Sequence, residues 1–221
     1  MHQELRAFLR IYNHYERHKD STALAKVVAW MKPRTQQLFV RKQLRFKEEG
    51  QMAGSVGIAC GEAYLNKELL PVVVHDIVKA EKLYVKKSAA VLRFLTAIAD
   101  GHRSGKIGPE TARHVFSSVL RVFIPRVKVF PIQPNHGGDE DPMPATGDDF
   151  FHLIRQCVSL KLRQQVRLIF DKLDALSMGR SGMSIEGFFA PLMKEFDQLP
   201  PGQTPGTATQ EFYYMAHQFA E

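Results

Sequence analysis

Apolar residues recur at three- and four-residue spacing along most of this chain, and that period predicts helices. In "HQELRAFLRIYNHYER" the positions Leu5, Phe8, Ile11, Tyr12 and Tyr15 form one such face. Asp20 is placed to cap a second helix, "STALAKVVAWM", which Pro33 restarts or kinks. A long polar and basic helix is then expected over about 33–49, interrupted by Gly50 and the mixed stretch "QMAGSVGIACGEAY". "NKELLPVVVHDIVKAEKLYVKK" reads as helix beyond Pro71, although "PVVV" taken alone also fits a strand. Ser88 is placed to cap "AAVLRFLTAIA", and Gly108-Pro109-Glu110 is a helix start, with Pro at the first position and an acid in the first turn. "RVFIPRVKVFPI" alone alternates like a strand, and its two prolines make it an edge or an extended connector. Further helices are expected in "TGDDFFHLIRQCV", "LKLRQQVRLIFDKLDALSM" and "SIEGFFAPLMKEFDQL", then a Pro/Gly linker and a short helix from about Thr207. The fold class is all-α.

The stretch "AIADGHRSGKIGPETARHVF", residues 97–116, first suggests a phosphate loop through its Gly-Lys pair. That motif needs four residues between its glycine and the Gly-Lys pair, a hydroxyl after the lysine, and a preceding strand. Here three residues separate Gly101 from Gly105, Ile107 stands where the hydroxyl should be, and a helical pattern precedes the loop. A twelve-residue calcium loop begun at Asp100 fits better. It puts His102 and Ser104 at positions three and five, Gly105 at the sharp turn of position six, Ile107 at the apolar position eight and Thr111 at position twelve. Val91, Phe94, Leu95 and Ala99 lead in; Ala112, Val115, Phe116 and Val119 lead out. The stretch resembles an EF-hand of the calmodulin-like superfamily. A similar but more eroded unit starts at Val166, Ile169, Phe170, Leu173 and Asp174, and its outgoing side carries Phe189, Leu192, Met193 and Phe196. A weaker echo lies near residues 8–24.

The resemblance implies two helical lobes of EF-hand-like helix-loop-helix units, with degenerate loops. His102 replaces an oxygen ligand and Thr111 cannot grip an ion with two carboxylate oxygens, so no metal is expected; in the second loop Leu176 and Met178 stand at ligand positions. The expected organisation is a basic helical segment over 1–50, a first lobe over 51–131 with its EF-hand-like unit at 91–119, and an acidic Pro/Gly loop over 132–149. A second lobe over 150–198 and a linker with a C-terminal helix over 199–221 complete it.

Charge sharpens the picture. The 221 residues are 44% hydrophobic, enough for a core, and carry a formal charge of +7. Residues 1–50 hold eleven Lys or Arg against five acids, so nearly all the excess sits there, whereas residues 135–149 hold five acids and no Lys or Arg. At 100° per residue, Arg34, Arg41, Lys42 and Arg45 share one sector about 100° wide around Leu38, which suits an acidic partner. The alternative is a solvated helix face. Trp30, Phe39 and Phe46 nearby read as core rather than as base-stacking platforms.

Other candidate chemistry fails. "HYERH" puts His14 and His18 one turn apart, but Glu16 points away and no third ligand is visible, which favours a solvated face. "GRSGMS" is no nucleophile elbow. Cys60 and Cys157 lack metal or redox spacing and read as buried small hydrophobes. No run of eighteen apolar residues exists, and the start lacks the apolar block of a secretory signal, so a cytoplasmic protein with no membrane span is expected. These readings give no catalytic residues, no cofactor and no small-molecule substrate. They point to a structural or adaptor protein with protein partners, and the family analogy extends to a partner helix, tubulin, the cytoskeleton and the cilium. The rival readings are an RNA-contacting component of a ribonucleoprotein, through helix 33–49, and a calcium-dependent regulator.

Overall fold

The computed structural model describes residues 2–41, 47–80, 85–127, 147–176 and 218. All regular structure among them is helical. In chain order these are α1 His2–Arg17, α2 Ser21–Arg41, α3 Lys47–Ala59, α4 Glu62–Tyr64, α5 Leu70–Val78, α6 Val85–Arg103, α7 Pro109–Phe123, α8 Gly147–Ser159 and α9 Arg163–Leu176. A π-helical turn, Leu65–Leu69, joins α4 to α5 without a break.

The chain divides into two compact units, Met1–Phe123 and Ile124–Glu221. In the first, α3 lies along α6, α1 packs on both α2 and α3, and α5 and α6 each pack on α7. Its core takes Leu5 and Phe8 from α1, Met31 from α2, Phe94 and Leu95 from α6, and Phe116 and Phe123 from α7, all without solvent exposure. The basic 1–50 segment thus contributes core residues to the same unit as α3 to α7, because its two helices are amphipathic and need an apolar face to cover. In the second unit, α8 and α9 pair through Phe150, Ile154, Cys157, Val166 and Ile169, all buried.

Three helical hairpins share one closing device. Each first helix ends with a left-handed residue: Lys19 (φ 54°) after α1, Gly105 (φ 72°) after α6 and Lys161 (φ 57°) after α8. At α6 the Gly105 amide donates to His102 O and the Lys106 amide to Gly101 O, both at 2.9 Å, the paired bonds of a Schellman motif. The next helix follows at once: Asp20 Oδ1 accepts from the Ala23 amide at 2.9 Å, the expected cap of α2.

Four expectations need correction. Pro33 does not restart the helix; it lies inside α2, which begins at Ser21, and only one backbone donor is lost there. Gly50 does not interrupt a helix but sits within α3, where it is buried against α6. A Cβ on Gly50 would lie 1.8 Å from Ala90 O, so glycine is what lets the two backbones approach. Ser88 is no cap: α6 begins three residues earlier and Ser88 is buried within it. The "RVFIPRVKVFPI" stretch opens inside α7, which runs to Phe123; residues 124–126 turn, Val127 is a bridge residue, and the rest of the stretch lies outside the described residues. Pro71 also lies in continuous helix, in the first turn of α5 directly after the π-helical turn.

Residues 128–146, which hold most of the acidic loop, the second helix-loop-helix beyond Leu176, and the C-terminal linker and helix lie outside the described residues, Gln218 excepted.

Candidate functional site

A cleft of roughly 350 Å³ opens in the first unit where α1, α3 and α6 meet. Its apolar floor comes from Leu9, Ile58, Ala59 and Ala97; its polar walls come from Tyr12 and Asn13 on α1, Gln51 and Ser55 on α3, Asp100 on α6, and Ser104 and Lys106 in the turn that follows. The Schellman turn sets the rim. Because Gly105 reverses the chain there, Lys106 leaves the helix toward α1, and its Nζ donates to both Glu16 oxygens, at 2.9 and 3.1 Å. Burial, with the Glu16 carboxylate beside it, raises the Tyr12 phenol above its usual range, so Tyr12 stays protonated.

The remaining polar groups of the cleft are mostly held. Ser55 Oγ donates to Gln51 O at 3.0 Å, Ser104 Oγ to Gly101 O at 3.1 Å, and Asp100 Oδ1 pairs with Arg103 at 2.8 Å. The amides of Asn13 and Gln51 have no partner among the described residues. Tyr12 shares a hydrogen bond with the Glu16 carboxylate, whereas the Ser55 and Ser104 hydroxyls donate to backbone carbonyls and face no base. Neither cysteine is set up for chemistry: burial pushes the Cys60 thiol up to about 12 and the fully buried Cys157 thiol higher still.

Of the positions read as a calcium loop, Asp100, His102, Ser104 and Thr111 each meet another partner. Asp100 and His102 lie in the last turn of α6; His102 Nδ1 is 3.4 Å from Ile107 O, and Ile107 itself is buried. Thr111 is buried on α7 and donates to Glu62 Oε2, while Asn66 Nδ2 donates to the Thr111 hydroxyl at 3.3 Å. Glu62 Oε1 also accepts from the Gly108 amide at 2.7 Å, so a carboxylate from α4 caps α7. Those two hydrogen bonds, Thr111 first, hold Glu62 below the usual carboxylate range. No group of three or more His, Cys, Asp or Glu suited to a metal ion occurs among the described residues.

Comparison with protein-family models, curated proteins and solved structures finds no match to this chain.

Of the basic sector, Arg34 is exposed on α2, Arg41 is the last residue of that helix, and Lys42 and Arg45 lie outside the described residues. Trp30 corrects the expectation of a core aromatic: it is 45% exposed, and its neighbour Met31 takes the core position. The Arg34 guanidinium lies 4.3 Å from the centre of the Trp30 ring, donates to Trp30 O at 3.0 Å, and stands 3.8 Å from a Glu4 oxygen. Phe39 and Phe46 fall outside the described side chains. His14 and His18 are exposed, with ring centres 4.5 Å apart. What the sequence reading missed, the cleft and the Glu62 cap, joins residues far apart in the chain. No helix among the described residues is long and apolar enough to cross a membrane.

Proposed function

We propose that this chain is a non-enzymatic adaptor that holds an acidic protein partner through the α1–α2 hairpin. The observation that carries the reading is the exposed Trp30 with Arg34 stacked on it. Tryptophan and arginine are the residues most often found to dominate protein interfaces, and an arginine already fixed over a ring loses little freedom on binding. The hydrogen bond to Trp30 O and the Glu4 carboxylate fix Arg34 in place, so the pair is prepared before any partner arrives. The excess of cations in the N-terminal segment favours an acidic partner, and Glu-rich tails such as those of tubulin carry that chemistry.

In the same reading α6 and α7 are an EF-hand-like pair kept for shape. The helix-turn-helix about Gly105, the buried Ile107 and the matched apolar faces on either side support it. Calcium is not asked of this pair, since Asp100 already meets Arg103.

The test is fluorescence anisotropy of a labelled Glu-rich peptide titrated with the full chain. Trp30→Ala and Arg34→Ala are each expected to weaken binding at least about tenfold, the loss of about 1.4 kcal/mol that marks a dominant contact. Undiminished binding by Trp30→Ala would sink the proposal.

A further inference from the structure

On α1, away from the hairpin face, Arg6, Arg10 and Arg17 stand seven and three residues before Asn13 and four after it. Those are the spacings of surface neighbours on a helix, and at 100° per residue the three arginines share a sector about 40° wide. All three are exposed and none meets an acid among the described residues. The only acids of α1, Glu4 and Glu16, are taken up by Arg34 and Lys106. The stripe therefore keeps its charge, and Asn13 belongs both to it and to the wall of the cleft.

We infer that the cleft and this arginine stripe form one site for a phosphorylated nucleoside unit, its base entering the cleft and its phosphates lying along α1. A guanidinium presents a planar fork that matches phosphate oxygens, and here all three cations of the stripe are arginine. Each free amide, of Asn13 and of Gln51, offers a donor beside an acceptor, the pattern that pairs with the edge of a base. A volume of roughly 350 Å³ has room for one base with its sugar over the apolar floor of Leu9 and Ile58. An acidic peptide answers the arginines and its backbone can meet the amides, but its carboxylates leave the apolar floor of Leu9 and Ile58 uncovered, which a base does not. The phosphate is asked of α1, not of the Gly-Lys pair in the turn. The unit belongs either to single-stranded RNA or to a free nucleotide, and the site is independent of Trp30.

The experiment is anisotropy of a labelled adenine RNA octamer with the full chain from 50 to 200 mM salt. AMP, an abasic octamer and an octaglutamate peptide serve as competitors. Three phosphate contacts predict affinity falling about 18-fold across that range, and Arg10→Gln should reduce the fall to about 7-fold. Gln51→Ala should leave the salt dependence alone and shrink the preference for the adenine octamer over the abasic one. Competition by AMP at the octamer's own concentration supports the site with a free nucleotide as its source; weak competition by AMP supports the single strand. The inference is overturned by octaglutamate competing as well as the octamer, by equal binding of abasic and adenine chains, or by an unchanged salt dependence in the Arg6→Gln, Arg10→Gln, Arg17→Gln variant. The three arginines are exposed and unpaired among the described residues, so that variant keeps its fold, which an unchanged thermal melt checks. Trp30→Ala binds the octamer as the parent does, so this site and the adaptor face fail separately.

Discussion

Glu62 does the work of a cap from another helix. Its two oxygens meet the Gly108 amide and the Thr111 hydroxyl at the start of α7, where the helix dipole also favours a negative charge. Its folded pKa is lowered, so its contribution is complete above the ordinary glutamate value of about 4.3 and disappears as pH falls through the lower folded value. Glu62→Gln should therefore cost about 0.3–1 kcal/mol near neutral pH, the usual range for an exposed charge at a helix start. The gap between denaturant melts of the two proteins should start to close as pH falls below the ordinary glutamate value of about 4.3 and vanish only past the lower folded value, and a constant gap would remove the charge argument. The sequence displays half of this arrangement. Pro109 and Glu110 announce a helix start, but a partner 46 residues before Gly108 leaves no local pattern. Trp30 fails for a different reason: a one-residue offset from Met31 separates core from solvent on a helix, and composition alone cannot settle which of two adjacent apolar residues turns inward.

Among the elements, α3 runs against its own propensities. Glycine inside a helix costs about 1 kcal/mol relative to alanine, and α3 carries three. Read locally, that is an interruption; read against α6, it is the condition for contact. Gly50→Ala would restore propensity and still destabilise, by about 3 kcal/mol, because the added carbon meets backbone at Ala90 rather than a side chain that can swing away. Urea unfolding measures this; an unshifted midpoint would show that the helices can part cheaply. The hairpin ends divide in the same way. Gly105 advertises its turn, while Lys19 and Lys161 adopt the same left-handed conformation with no signature, their strain offset by the paired bonds that close each helix.

Across the whole molecule, the absence of a ligand cluster among the described residues and the pairing of Asp100 with Arg103 bear on calcium. A micromolar site would add about 2.7 kcal/mol at a hundredfold excess of ion, a rise of several degrees in the melting temperature. We expect calcium to leave the melt of the full chain unchanged, and calorimetry showing a saturable micromolar site lost in Asp100→Ala would reverse that. The all-α class, the apolar faces of α6, α7 and α9, the Asp20 cap, the Pro109 helix start and the burial of both cysteines follow from the sequence by itself, whereas of the face read on α1 Leu5 and Phe8 are buried and Ile11 is exposed. Each rests on periodicity or on chemistry within a few residues. Other features were decided only by tertiary structure: the passage of α3 through its glycines, the union of the basic N-terminal helices with α3 to α7, the Glu62 cap, and the cleft bounded by Asn13, Gln51 and Asp100. These depend on which surfaces meet, and contacts between residues distant in the chain are fixed by the packing of whole helices rather than by any pattern along them.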